Sequence, residues 1–250
     1  MRNSFKNIVC LVLIFVAACS CGHRNSDGAL LPEFEEYTFT SAEEGLYSVN
    51  IRYQHIANAS KDGVLASIEE MNYHHTFDEY AVVPSSIEES VSTLVGDYAA
   101  SCSSNSDTEC VGCSYSLDQE AMLTRDDTIL CFETCVEIYS GGAHGGDSLL
   151  YECYDLATGA IYDFSYLTDG EWAYAVQALI YDRLSETCDG VLLLASADGV
   201  YIPRSVKITD SGLLLVYQPY EVASFDLGII SIELSDEELL AAGAPLVWVE

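Results

Sequence analysis

Between Leu46 and Gln54 the chain alternates without a break. Tyr47, Val49, Ile51 and Tyr53 fall on one face, and Ser48, Asn50, Arg52 and Gln54 on the other. Successive strand side chains point to opposite sides of a sheet, so this segment reads as a half-buried β-strand with one apolar and one wet face. Such a strand needs neighbours in its own sheet and a second layer over its apolar face. The rest of the pattern offers both. Val64, Leu65, Ile68 and Met71 recur at helical spacing after the Asp62-Gly63 break, and Ile87, Val91, Leu94, Val95 and Tyr98 do so behind Pro84. Ser85-x-x-Glu88 supplies a capping-box pattern for the second of these helices. Residues Ala100–Gly112, rich in Ser, Asn and Cys, read as a loop. Strands are expected at about Ala121–Leu123, Thr128–Tyr139 and Ser148–Leu156, with Ala157-Thr158-Gly159 turning the chain into Ala160–Phe164. A third helix is expected from Thr168-x-x-Glu171, burying Trp172, Val176, Leu179, Ile180 and Leu184. A hairpin pairs Ser205–Thr209 with Leu213–Gln218 across Asp210-Ser211-Gly212. Ile229–Leu234 follows as a strand, and Ser235-x-x-Glu238 caps a short last helix ending at Gly243 and Pro245. Hairpin-linked strands with interspersed helices, in place of strict βαβ alternation, give an α+β class: mostly antiparallel sheets with packed helices.

The N-terminus reads as an address. Arg2 and Lys6 precede an apolar run from Ile8 to Ala18, which suits a signal-peptide core and falls short of the ~20 residues that span a bilayer. The run closes on Val16-Ala17-Ala18-Cys19, which resembles a bacterial lipobox, so residues 1–18 are expected to be a lipoprotein signal peptide and Cys19 the lipidated residue. Ser20 in place of Asp after that cysteine resembles the outer-membrane sorting pattern of Gram-negative lipoproteins. The expected location is therefore the bacterial cell envelope, with the lipid as the sole membrane contact. Residues 19–36 are polar and acidic and read as a tether, with folded structure from about Tyr37.

Charge narrows the partners. With 40 acidic against 9 basic side chains the formal charge is −31, and loss of Arg2 and Lys6 takes it to −33. Nucleic-acid binding depends on Lys and Arg neutralising phosphates, so it is excluded, whereas a strongly basic protein is electrostatically suited. An exported chain also meets an oxidising environment. Once Cys10 and Cys19 are set aside, Cys21, Cys102, Cys110, Cys113, Cys131, Cys135, Cys153 and Cys188 remain, a disulfide-capable set whose pairing the sequence leaves open. Cys110-x2-Cys113 followed by Cys131-x3-Cys135 approximates a zinc ribbon. The second pair lies on an expected strand, however, where positions four apart stand ~13 Å from each other, too far for one tetrahedral ion. Disulfides to neighbouring segments fit better.

Ser140-Gly141-Gly142-Ala143-His144-Gly145-Gly146-Asp147 is the most unusual stretch. Its glycines allow tight turning and close approach, which would present His144 and Asp147 to a ligand; the same glycines also serve as a plain strand connection. Asn58-Ala59-Ser60-Lys61-Asp62-Gly63-x5-Glu69 shadows a calcium loop, but Asn at position one and the charge of Lys61 weaken it, and a turn with a helix cap explains the same residues. His74-His75 with Asp78 and Glu79 is a poor metal set, because adjacent helical residues point ~100° apart. No metal and no cofactor is therefore expected.

Four blocks carry a resemblance: Tyr139-Ser140-Gly141-Gly142-Ala143-His144-Gly145; Asp155-Leu156-Ala157-Thr158-Gly159; Ile208-Thr209-Asp210-Ser211-Gly212-Leu213; and Val216-Tyr217-Gln218-Pro219-Tyr220-Glu221-Val222. They resemble a bacterial extracytoplasmic tandem module. It is found in the extracellular part of the lysozyme-sensing anti-sigma factor RsiV and ahead of the catalytic domain of the peptidoglycan deacetylase PdaC. The likeness spans about residues 37–240 and implies two intimately associated subdomains, 37–149 and 150–250. It also implies a non-catalytic binding module for lysozyme or cell-wall glycan, since the sigma-binding and deacetylase parts are not matched here. Tyr139, Gly141, Gly142, His144, Asp147, Tyr217, Tyr220 and Glu221 become the candidate ligand-binding residues. The alternative is an envelope hydrolase that uses His144 with nearby acids.

Overall fold

The computed structural model describes residues 23–77, 87–104 and 112–249. The Val16–Cys19 motif and Ser85 of the Ser85-x-x-Glu88 box lie outside these residues. Among the described residues eight strands form two sheets, and the class is α+β. The larger sheet has the order β1-β2-β3-β4-β5, from β1 (Phe34–Glu43), β2 (Tyr47–Ile56), β3 (Cys113–Thr124), β4 (Ile129–Tyr139) and β5 (Gly146–Asp155). Between β2 and β3 come α1 (Gly63–Phe77) and α2 (Ile87–Ser104). The smaller sheet, ordered β6-β7-β8, contains β6 (Ser205–Thr209), β7 (Gly212–Tyr217) and β8 (Ile230–Ser235), with α3 (Ala173–Thr187) before it and α4 (Asp236–Ala241) after it.

Two compact units emerge, and their boundary is not a single point in the chain. Among the described residues one unit comprises Pro32–Glu120 with Thr134–Gly146, and the other 23–31, Ala121–Glu133 and the chain from Asp147 onward.

In the first unit the alternation of β2 is realised as read: Val49, Ile51 and Tyr53 are enclosed, and Asn50 is exposed between them. They pack with Tyr73 and Phe77 of α1 and with Val91, Leu94 and Tyr98 of α2. The β2–β3 pair is parallel, with Tyr47 opposite Cys113 and Arg52 opposite Asp118, so the sheet is mixed. The cause is the crossover: α1 and α2 return the chain to the end from which β2 started, as a parallel pair requires. β1 departs from the expectation, because its mixed pattern Phe34-Glu35-Glu36-Tyr37 reads in sequence as the end of a tether. Its ten-residue antiparallel pairing with β2 supplies the regularity that its own sequence lacks. A buried amide network adds orientation. The two N–H groups of Gln119 Nε2 are shared among Asn72 Oδ1, Thr76 Oγ1 and Thr134 Oγ1, each 3.0 Å away, and Asn72 Nδ2 donates to the Tyr53 hydroxyl at 3.1 Å. With every amide partnered, the network fixes α1 on the sheet without leaving polar groups stranded.

In the second unit α3 buries Val176, Ile180 and Leu184, spaced four apart, among Leu213, Leu215 and Tyr217 of β7 and Ile232 and Leu234 of β8. The helix starts at Ala173, later than the Thr168-x-x-Glu171 pattern suggests. A single 3₁₀ turn occupies Ser165–Thr168, and the Thr168 hydroxyl donates back to the Ser165 carbonyl instead of capping forward. Trp172 is then the residue before the helix, its indole N–H on the Tyr166 carbonyl at 3.0 Å. The final capping box is present as read. Ser235 Oγ accepts from the Glu238 N–H, and Glu238 accepts from the Ser235 N–H, which together with the Arg183 guanidinium holds the Glu238 carboxyl below the usual carboxylate range. β6 and β7 meet in a two-residue hairpin, Thr209 opposite Gly212. A Cβ on Gly212 would lie 2.1 Å from the Leu234 carbonyl oxygen, so only glycine lets β8 approach there.

Cys131 and Cys153, both enclosed in this second core, form a disulfide across a separation of 22 residues. Replacing both with Ala should lower the stability of the unreduced protein by about 3 kcal/mol, the loop-closure entropy of a bridge this long. Urea unfolding of the two forms, with and without reductant, measures it, and the reduced wild type should fall toward the variant.

Candidate functional site

The glycine-rich stretch is a tight return from β4. Gly141 and Gly142 have φ of 91° and 105°, a backbone region that disfavours side chains, and the Tyr139 hydroxyl donates to the Gly142 carbonyl at 3.1 Å. Gly145 folds back against the strand just left: a Cβ there would sit 2.8 Å from the Ile138 carbonyl oxygen. The Tyr98 hydroxyl fixes the strand end by donating to the Tyr139 carbonyl at 2.6 Å. His144 is exposed at the loop tip with Nδ1 2.9 Å from the Gly145 carbonyl oxygen. Asp147 is exposed as the second residue of β5. Gly141, Gly142 and Gly145 therefore have a structural explanation, and the polar side chains the loop offers to solvent are His144 and Asp147.

The Gln218-Pro219-Tyr220-Glu221 block divides in two. The Tyr217 ring just before it is fully enclosed, and its hydroxyl donates to the Tyr201 carbonyl at 2.8 Å; burial pushes that hydroxyl well up. Tyr217 is thus a core residue and corrects the expectation of a surface contact, because β7 buries both of its faces here. The Gln218 amide pairs with Leu149 as a strand would, donating to its carbonyl at 2.8 Å and accepting from its N–H at 3.1 Å. Glu221 accepts from the Gln218 N–H at 2.6 Å. Tyr220 is 62% exposed with φ of 72°, its ring 5.4 Å from Phe225. An exposed tyrosine held in left-handed backbone is a strained and presented side chain.

A third feature lay outside the sequence reading. Within the second unit, five stretches distant in sequence converge on an open cavity of about 620 Å³: Asn25–Asp27, the β3–β4 turn, the end of β5, the β6–β7 turn and Val247–Val249. Its carboxylates are Asp27, Asp126, Asp155 and Asp210, and Tyr162 and Trp248 add aromatic wall. Among the described residues none of these four acids has a Lys, Arg or His in ion-pair range. Arg125, also on the wall, is only 14% exposed at its side chain and committed to Asp236, its Nη1 2.7 Å and Nη2 3.0 Å from that carboxylate. The turn itself is tense, with Arg125, Asp126 and Asp127 all at φ between 53° and 62°. It is tied down by the Arg125 N–H to Asp210 at 2.8 Å and by Asn25 Nδ2 to the Asp127 carbonyl at 3.1 Å. Residues 23–31, expected as tether, thus form part of the wall: the Leu31 N–H donates to the His23 carbonyl and Asn25 Oδ1 accepts from Asp27 and Ala29. One signal was available. Two of the four resemblance blocks, at Asp155 and Asp210, are Asp-led turns, and both supply an acid to this cavity.

The calcium-like residues are engaged elsewhere. Asn58 Oδ1 accepts from the Glu33 N–H, Asp62 Oδ1 caps α1 through the Val64 N–H, and Glu69 accepts from the Ile56 N–H at 2.7 Å. Burial pushes the Glu69 carboxyl up. Of the zinc-like four, Cys131 is in the disulfide and Cys110 lies outside the described residues. His74 stands edge-on to Tyr73, and His75 is exposed.

No protein-family model and no curated protein matches the chain. Solved structures do. A member of the DUF3298 family from Bacteroides fragilis (BF2082) superposes with a TM-score of 0.67 at 14% identity, over 84% of this chain and 92% of that one. A DUF3298 family protein from Pseudomonas aeruginosa (PA4972) does so with a TM-score of 0.58 at 15% identity, over 84% and 93%. At such identity the likeness establishes a shared fold.

Substitution at the glycine-rich loop should separate backbone from side chain. Gly145→Ala forces a Cβ onto the Ile138 carbonyl and should cost about 1–3 kcal/mol, whereas His144→Ala, at an exposed tip, should stay within about 0.5 kcal/mol. Thermal or urea unfolding of the two variants checks both.

Proposed function

We propose that this chain is a lipid-anchored, non-catalytic binding module of the bacterial cell envelope, akin to the DUF3298 proteins whose fold it shares, and that its partner is a strongly basic protein of the lysozyme kind. The observation that carries the reading is the acidic cavity of the second unit. Four carboxylates line it without a paired cation among the described residues, in a chain whose formal charge is −31. Uncompensated charge of one sign on a concave, partly aromatic surface draws in and orients a partner of the other sign. Tyr220, exposed and strained beside Glu221, suits an aromatic anchor for the same class of partner. The apolar run ending in Val16-Ala17-Ala18-Cys19 supports the anchor, and the Cys131–Cys153 bridge suits an oxidising compartment.

Titration of a soluble form beginning at residue 22 against lysozyme, with an equally basic unrelated protein as control, tests the reading at low and physiological salt. Saturable binding that is specific to lysozyme and survives salt is the expected result. Equal binding to both proteins that vanishes in salt would reduce it to bulk charge, and a cell-wall glycan screen would follow. Asp126→Asn should weaken lysozyme binding about threefold to tenfold, the range of one partly desolvated charge pair. In cells, Cys19→Ser should move the protein from the membrane fraction to the soluble one.

A further inference from the structure

We propose that Cys102 and Cys113 form a second disulfide, clasping the end of α2 to the start of β3 and closing the ten residues between them. Cys102 lies four residues after Tyr98 on α2, so the two side chains share one helix face a turn apart. Cys113 is the first residue of β3. Both cysteines are 2% exposed, and both belong to the core cluster that contains Tyr98. The Tyr98 hydroxyl oxygen ties the two ends together, lying 2.8 Å from the carbonyl oxygen of Ser114, the neighbour of Cys113, and 2.6 Å from that of Tyr139, with its one proton shared between them. Burial pushes that hydroxyl up, and the Cys102 and Cys113 thiols beside it push the same way. The two cysteines are not bonded to each other in the structure, but they sit in one buried cluster on elements joined by a short segment.

The chemistry is thiol–disulfide exchange. One of the two cysteines, as thiolate, attacks the disulfide of an oxidoreductase and forms a mixed disulfide. The other, as thiolate, displaces that enzyme's sulfur. Two protons leave the cysteines, and two electrons pass to the oxidoreductase, which departs as a dithiol. Enclosure of both sulfurs in the folded core places the reaction during folding and shields the product from later reduction. The availability of that oxidant rests on the envelope reading; the pairing itself rests on the geometry around Tyr98.

The test is a disulfide map of the full chain recovered from the envelope of a bacterial host. The protein is denatured and alkylated without reduction, digested and analysed by mass spectrometry. A linked Cys102–Cys113 peptide beside the linked Cys131–Cys153 peptide is the expected result. Alkylated Cys102 and Cys113 alongside an intact Cys131–Cys153 bridge would overturn the pairing, as would a link from either cysteine to Cys110 or Cys135. Loss of both bridges would instead count against the oxidising compartment. That outcome sends the same map to protein refolded in a glutathione redox buffer, where alkylated Cys102 and Cys113 beside a formed Cys131–Cys153 again overturns the pairing. A Cys102→Ser/Cys113→Ser variant adds a second measure. Its urea midpoint should lie below that of the unreduced wild type and coincide with that of Cys131→Ala/Cys153→Ala protein only if the two bridges contribute alike; an unchanged midpoint overturns the proposal.

Discussion

The acidic cavity of the second unit hangs on one ion pair, Arg125 with Asp236. The guanidinium grips both carboxylate oxygens, and Asp236 also accepts from the Trp248 indole at 3.1 Å. The residue at the head of the β3–β4 turn is thereby bound to the first residue of α4 and to the C-terminal segment. Through its own N–H it is bound to Asp210 in the β6–β7 turn as well. A pair enclosed to this degree contributes little net stability, because desolvation offsets most of the attraction; breaking it by removing one partner is costly, because a buried charge is left alone. Its value lies in orientation. Three consecutive residues in left-handed backbone would relax if the turn were free, and the ion pair together with Asn25 keeps them in place.

That arrangement also explains how a chain so acidic can concentrate charge further. Forty carboxylates against nine cations cannot be neutralised pairwise, and self-repulsion is the cost of solubility at such a charge. Among the described ion pairs two cations serve more than one acid, Arg52 with Glu36, Asp118 and Glu120 and Arg183 with Glu186 and Glu238. The Arg125 guanidinium serves Asp236, so among the described residues Asp27, Asp126, Asp155 and Asp210 have no cation in ion-pair range; Asp210 accepts from the Arg125 N–H, and Asp155 from the Ala157 N–H and the Thr158 hydroxyl. Covalent and polar devices hold the fold against the repulsion: the Cys131–Cys153 bridge in one core and the Asn72–Gln119 network in the other.

Local patterns were legible where they answered to local physics. The alternation of β2, the hairpin expected through Asp210-Ser211-Gly212, its turn one residue shorter because Gly212 joins β7, and the Ser235–Glu238 box all appear, since each depends on residues within one turn or one strand. Thr168-x-x-Glu171 shows the limit of the same logic, because a neighbouring 3₁₀ turn claims the hydroxyl first. β1 was missed because its regularity comes from its partner. Of the candidate binding residues, His144, Asp147 and Tyr220 are exposed, whereas Tyr217 is enclosed. A tyrosine on a strand looks the same in sequence whether its face meets solvent or a second layer.

What the sequence determined by itself is the inventory: an α+β chain, apolar faces of the right period, glycines at the strand return, and a large excess of acid over base. What only the tertiary structure decided is which distant residues share a place. The parallel pairing of β2 with β3, the Cys131–Cys153 bridge and the convergence of Asp27, Asp126, Asp155 and Asp210 all join segments far apart in the chain. Backbone propensity acts over a few residues and leaves no trace of such neighbours; burial of the two cores brings them together, and only after that burial does the charge of one turn meet the charge of another.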